Sequence, residues 1–140
     1  SNNDTFLILE SDSILCDGFK EQLENVIVAS KSLQNWDIIN IGAGNIGNKW
    51  KKICKHDYSK QEINGVKFRQ TNVNRCTEAL IWNYNAVCKI LELFENHPVI
   101  DVPIDLKYNV LNIFWTIPYI VEQGSFKQIY KSNIREFKNA

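Results

Sequence analysis

Four apolar residues in succession, Phe6-Leu7-Ile8-Leu9, are followed at once by Glu10-Ser11-Asp12. The run predicts a buried strand. Carboxylates resist desolvation, so the two acids are expected at the strand's carboxyl end, in a crevice. Asp17-Gly18 predicts a helix start with Asp17 as N-cap, its carboxylate accepting from free N–H groups of the first turn. Phe19, Leu23, Val26 and Ile27 then recur at the spacing of one helix face. Asp37 to Gly42 alternates apolar and polar and predicts a second strand. Residues 43–65, rich in Gly and Lys, read as a long surface loop, usually a functional or mobile feature in a compact domain. Val66 to Thr71 predicts a short strand, and Thr77 to Trp82 an apolar segment crossing the core. Asn83 is expected to cap the next helix, on which Val87, Ile90, Leu91 and Phe94 share a face and which Asn96-His97-Pro98 stops. Val102-Pro103-Ile104-Asp105 leads into another short helix, to about Leu111. Ile113 to Tyr119 predicts a strand that Pro118 confines to an edge or an end. The tail from Glu122 to Ala140 is polar and expected to be irregular. Alternating strands and helices predict an α/β sandwich.

Composition narrows the class. The 140 residues suit one domain. Hydrophobic residues make up 44% and include 4 Trp, 5 Tyr and 7 Phe, enough for a core, so a disordered chain is excluded. Lys plus Arg is 16 and Asp plus Glu is 16. With no basic field and no polybasic run, nothing points to nucleic acid or to an anionic membrane surface. No apolar stretch approaches the roughly 20 residues of a membrane helix. Cys16, Cys54, Cys76 and Cys88 form no C-x-x-C pair, and Cys16 and Cys76 lie in or beside apolar runs, where a thiol behaves as a small hydrophobe. Free thiols are expected, with two disulfides, in any of three connectivities, as the alternative. Cys54 and His56 resemble half a zinc site that no second pair completes.

The chemistry centres on Glu10 and Asp12. Acids at a strand's carboxyl end stand where open α/β sheets bind ligands. Mg²⁺ or Mn²⁺ is typically held by one or two carboxylates and completes its shell from waters and substrate phosphates. The plainer alternative is a solvated strand end whose acids cap the next helix.

Five segments in order carry a family likeness: Leu7 to Phe19 with its Glu-Ser-Asp; Trp36-Asp37 opening the second strand; Thr77-Glu78-Ala79-Leu80-Ile81-Trp82; Val102-Pro103-Ile104-Asp105; and Pro118 to Ser125, with Ser132-Asn133-Ile134 behind it. This succession resembles glycosyltransferase family 25, which includes lipooligosaccharide and collagen hydroxylysine galactosyltransferases, and it spans nearly the whole chain. The chain departs from the family pattern in three places. Ser11 replaces the middle acid, which alternate side chains of an extended segment can tolerate because they share a direction. Glu78-Ala79 stands where the family has small residues. Only Ser1 to Asp4 precede the strand, where the family carries the first strands of its nucleotide-binding half.

The resemblance implies a GT-A-like, Rossmann-like sandwich with a mixed sheet, here a partial domain: residues 1–140 as the C-terminal portion of a catalytic domain. It implies metal-dependent transfer of a hexose, galactose or glucose, from a UDP-sugar to a glycan or a hydroxylysine-type protein acceptor. Glu10 and Asp12 would hold Mn²⁺ or Mg²⁺, which suits oxygen ligands. Asp105, matching the family's Pro-Val-Asp, would be the base that deprotonates the acceptor hydroxyl; its other role is to cap a helix. Glu78 is the rival base, since an apolar setting raises a carboxylate's pKa. Gln123 and Glu122 match the late Val-x-Gln pattern and would close over the donor phosphates or the metal; their other reading is a polar loop. Trp82, and with it Trp115 and Tyr84, would stack on sugar rings, although aromatic residues in such runs also build cores. His97 suits the end of a helix better than a metal.

Two other classes fit parts of the pattern. A non-catalytic binding or assembly module would keep the fold without donor affinity, which titration with sugar nucleotide and Mn²⁺ distinguishes. A metal-dependent phosphohydrolase also uses acids at strand ends, but needs further carboxylates and a nearby histidine. A bacterial or viral enzyme of this type would be cytoplasmic, and a eukaryotic one would lie in the endoplasmic reticulum or Golgi lumen.

Overall fold

The computed structural model describes residues 2–43, 60–71, 77–96 and 110–124. They form an α/β protein with a six-strand mixed sheet, a two-strand sheet and two helices. In chain order these are β1 (Thr5–Leu9), β2 (Ser13–Leu15), α1 (Phe19–Ser30), β3 (Ile38–Asn40), β4 (Lys60–Ile63), β5 (Val66–Thr71), β6 (Ala79–Asn83), α2 (Tyr84–Asn96), β7 (Ile113–Ile117) and β8 (Val121–Gln123). The large sheet runs β1-β6-β3-β7-β5-β4. β3 and β7 pair in parallel and every other neighbour is antiparallel, so β1, β3 and β7 point the same way.

The central strands are apolar on both sides because the sheet is covered on both. Ile39, Ile41, Ala79, Ile81, Phe114 and Phe68 face α1, meeting Val26, Ala29 and Leu33, with Phe19 and Leu23 at the margin. Ile38, Leu80, Trp82, Ile113 and Trp115 face α2, meeting Ala86 and Ile90. The two clusters are the two cores of a three-layer sandwich.

Several elements differ from the sequence expectation. Gly18, not Asp17, is the N-cap residue of α1, and no side chain caps that end. The backbone carbonyl of Asp17 instead accepts from Gln22 Nε2 at 2.9 Å. Leu91 is 55% exposed, because α2 turns Ile90, with Val87, Leu93 and Phe94, toward the sheet. Residues 60–65, expected in a loop, form β4 and its turn. Asn64 (φ 49) and Gly65 (φ 78) both adopt left-handed backbone between Ile63 and Val66, the two-residue hairpin that Asn-Gly favours. Gln123 and Glu122, expected in an irregular tail, belong to β8. β7 is a central strand with Pro118 just beyond its end.

The largest correction concerns β1. It is an edge strand of the described sheet, with Phe6 41%, Leu7 38%, Ile8 52% and Leu9 39% exposed. Its register against β6 puts Phe6 and Ile8 on the α2 side and Leu7 and Leu9 on the α1 side. Both faces are apolar, as in an interior strand.

Two polar contacts fix how the layers meet. Ala86 N–H donates to Asn83 Oδ1 at 2.7 Å, the expected cap of α2, while Asn83 Nδ2 donates to the carbonyl of Trp36. Asp37, nearly buried, accepts from Lys89 Nζ at 2.7 Å and from Asn112 N–H at 2.9 Å. It thereby ties α2 and the entry to β7 to the start of β3. Asp37→Ala is expected to lower unfolding free energy by about 1.5–3 kcal/mol, the range for a hydrogen-bonded charged group. Lys89→Ala, on a mostly solvated ammonium, should cost less than about 1 kcal/mol. Urea midpoints at constant slope measure both.

Candidate functional site

β1, β3 and β7 all finish at one end of the sheet, and β5 and β6 begin there. Two chain reversals crowd this end. After Leu9 the chain turns sharply, Ser13 N–H donating to the Glu10 carbonyl at 3.1 Å, and enters β2. After β7 it passes Pro118 and crosses the end of β3, where Ile120 and Val121 donate to the Ile41 carbonyl at 2.9 and 3.1 Å. It then pairs with β2 as β8, in the register Ser13↔Gln123 and Ile14↔Glu122. Gly124 N–H closes the small sheet onto the Asp12 carbonyl at 2.7 Å.

Glu10, Asp12, Glu78, Glu122 and Gln123 therefore gather at one end of the sheet from three separate chain segments. Thr77 Oγ1 donates to Glu10 Oε1, and Tyr119 Oη donates to Glu122 Oε1 at 3.1 Å. The Glu78 carbonyl receives the Glu10 N–H at 2.9 Å and the Ser13 hydroxyl at 2.7 Å. Glu10 and Asp12 lie on a tight turn, however, and not on an extended segment, so strand alternation does not align their carboxylates.

Glu78 directly precedes β6 and is fully buried. Its side chain lies over Gly42, at the end of β3: a Cβ on Gly42 would fall 2.4 Å from Glu78 Oε1 and 2.7 Å from its Cγ. Gly42 itself is held by its N–H bond to Asn40 Oδ1 at 2.9 Å. Nothing in the sequence pairs Gly42 with Glu78, 36 residues later; only the β3–β6 register does.

Trp82, expected to stack on a sugar ring, lies in the interior. It is buried in the α2-side core beside Ile38, Leu80 and Ile90, at the far end of β6 from the acids. Trp115 belongs to the same core. Tyr84 opens α2, also at the far end, where the hydrogen bond its hydroxyl donates to Cys88, the charge of Cys88, desolvation and the charge of Asp4 hold its phenol above the ordinary range. Asp105 and His97 lie outside the described residues, as do Cys54, His56 and Cys76. Cys16 and Cys88 are thiols, not disulfide halves. Among the described residues no three His, Cys, Asp or Glu are grouped as a metal cage, and no helix is long and apolar enough to cross a membrane.

No family model matches the sequence, and no curated protein or solved structure matches it significantly.

Gly42→Ala is expected to destabilise the protein by about 1–3 kcal/mol, the cost of overfilling a packed site. In a Glu78→Ala background the same change should cost well under half as much. A double-mutant cycle by chemical denaturation reads this coupling; equal costs in both backgrounds would show that the carboxylate does not occupy that space.

Proposed function

We propose that this chain carries the acidic end of a metal-dependent glycosyltransferase of family 25 type. In this reading it transfers a hexose from a UDP-sugar to a glycan or a hydroxylysine-type protein acceptor. The observation that carries the reading is the position of Glu10 and Asp12, on the turn closing β1 at the end of the sheet where β3 and β7 also finish. That end is the usual ligand crevice of α/β sheets.

The donor set suits the cation. Two carboxylates on one turn match a hard ion whose remaining ligands are phosphates and waters. When bound, Mn²⁺ or Mg²⁺ would neutralise the charge that develops on the leaving diphosphate. Thr77 fixes one oxygen of Glu10, the kind of outer contact that orients a ligating carboxylate. Glu122, held by Tyr119, and Gln123, opposite Ser13, border the same turn and would bind donor oxygens. Of the two candidate bases, Glu78 is enclosed against Gly42, which suits a role in positioning strand ends. Deprotonation of the acceptor is therefore assigned to Asp105.

The edge strand also favours this reading. The family resemblance implies further strands in the nucleotide-binding half. β1, apolar on both faces and at the edge of the sheet among the described residues, has the character of a strand onto which such strands pair.

Calorimetric titration with UDP-galactose and UDP-glucose, with and without Mn²⁺, tests the proposal. Donor binding by the chain is expected to require the cation. In a complete enzyme, Asp105→Asn should lower turnover on the order of 10²–10⁴-fold with donor affinity little changed. Asp12→Asn should instead raise the Mn²⁺ concentration needed for half-maximal activity. Turnover unaffected by either substitution would remove both assignments.

A further inference from the structure

At the opposite end of the sheet, roughly 17 Å of strand from Glu78, lies a groove of about 720 Å³. Small-molecule sites span about 300–1,000 Å³. It is lined by Asn35, Trp36 and Asp37 from the approach to β3, Asn83, Asn85, Cys88, Lys89 and Glu92 from the start of α2, and Asn112 before β7. We propose that this groove binds a neutral, hydroxyl-rich ligand, a unit of a glycan, independently of the transfer chemistry proposed for the acidic end.

The lining selects this class. The side-chain amides of Asn35, Asn85 and Asn112 make no hydrogen bond to other described residues. Each offers donors and an acceptor together, the combination that adjacent hydroxyl groups satisfy. Trp36 is fixed by its Nε1–H bond to the Ser30 carbonyl at 3.0 Å and supplies the apolar surface that the carbon-bearing face of a sugar ring covers. Charge argues against anions: the Lys89 ammonium is taken up by Asp37 at 2.7 Å, and Glu92 adds a negative charge. An apolar ligand would leave the amides desolvated without partners. An extended peptide needs free main-chain groups to pair with. Here β3, β6 and β7 are paired on both sides and Asn83 caps α2.

The walls are prearranged. Asn83 bridges α2 to the Trp36 carbonyl, and Asp37 joins Lys89 to the Asn112 backbone. The segments carrying the free amides are thus locked together before any ligand arrives, which lowers the ordering cost of binding.

Titration of the ¹⁵N-labelled chain with lactose, maltose and cellobiose, followed by NMR, tests the proposal. At least one disaccharide should shift the side-chain amides of Asn35, Asn85 and Asn112 and the indole N–H of Trp36, with a dissociation constant on the order of 1–10 mM. Asn85 and Asn112 are exposed, so the double substitution Asn85→Ala, Asn112→Ala should leave the fold intact and weaken binding about tenfold or more. Asp12→Asn, at the other end, should leave it unchanged. No perturbation by any of the three sugars, perturbation confined to residues 10–13, or unaltered affinity in the double variant would overturn the assignment. The outcome is separable from the donor titration, because it requires neither nucleotide nor cation.

Discussion

The backbone carbonyl of Glu78 is the point on which the acidic end of the molecule depends. One oxygen accepts from the Glu10 backbone, which ends β1, and from the Ser13 hydroxyl, which begins β2. The same residue directly precedes β6 and lays its side chain across Gly42. A buried carbonyl without partners would be costly, so these bonds also fix where the chain can turn. β2 then dictates where β8 lies, and β8 brings Glu122 and Gln123 to the turn. The candidate site is assembled around a strand start, and its acids are consequences of backbone pairing.

The two ends of the sheet divide the labour differently. One holds acids beside a glycine floor and two reversed chains. The other holds amides, a tryptophan and a neutralised ion pair. Five residues of β6 separate them, and Trp82, with Leu80 and Ile81, fills the interior between. The core strands also bury Asn40, whose Oδ1 accepts from the Gly42 N–H at the acidic end, and Thr116 of β7.

Much of the architecture was legible where local chemistry and tertiary context agree. Ala79 to Trp82 is apolar because the strand is covered on both faces, and Asn83 caps α2 because the following N–H groups need an acceptor. The Asn64-Gly65 turn carried a plain hairpin signal, masked by the polar residues around it. β2 and β8 are three residues each and gain meaning only by pairing across 108 positions. The exposure of β1 was illegible in principle, since an apolar run looks the same at an edge and in a centre. For the site, the sequence reading named Glu10, Asp12, Glu122 and Gln123, which the fold brings to one end, and Trp82, which the fold buries on the α2 side. It did not name Gly42 or the amide groove, because both arise from register and not from spacing.

β1 has a consequence for handling the protein. Thr5 to Leu9 has high β-propensity, carries no charge and has no second strand partner among the described residues. Such segments nucleate aggregation when copies meet edge to edge. Asp4 and Glu10 bracket it as gatekeepers: an antiparallel self-pairing centred on Leu7 would set Asp4 of one copy against Glu10 of the other, twice. That repulsion is greatest at low salt. Concentrated salt screens the guard while leaving the sticky strand in place, so the colloidal behaviour of this domain depends on two carboxylates at the ends of one strand.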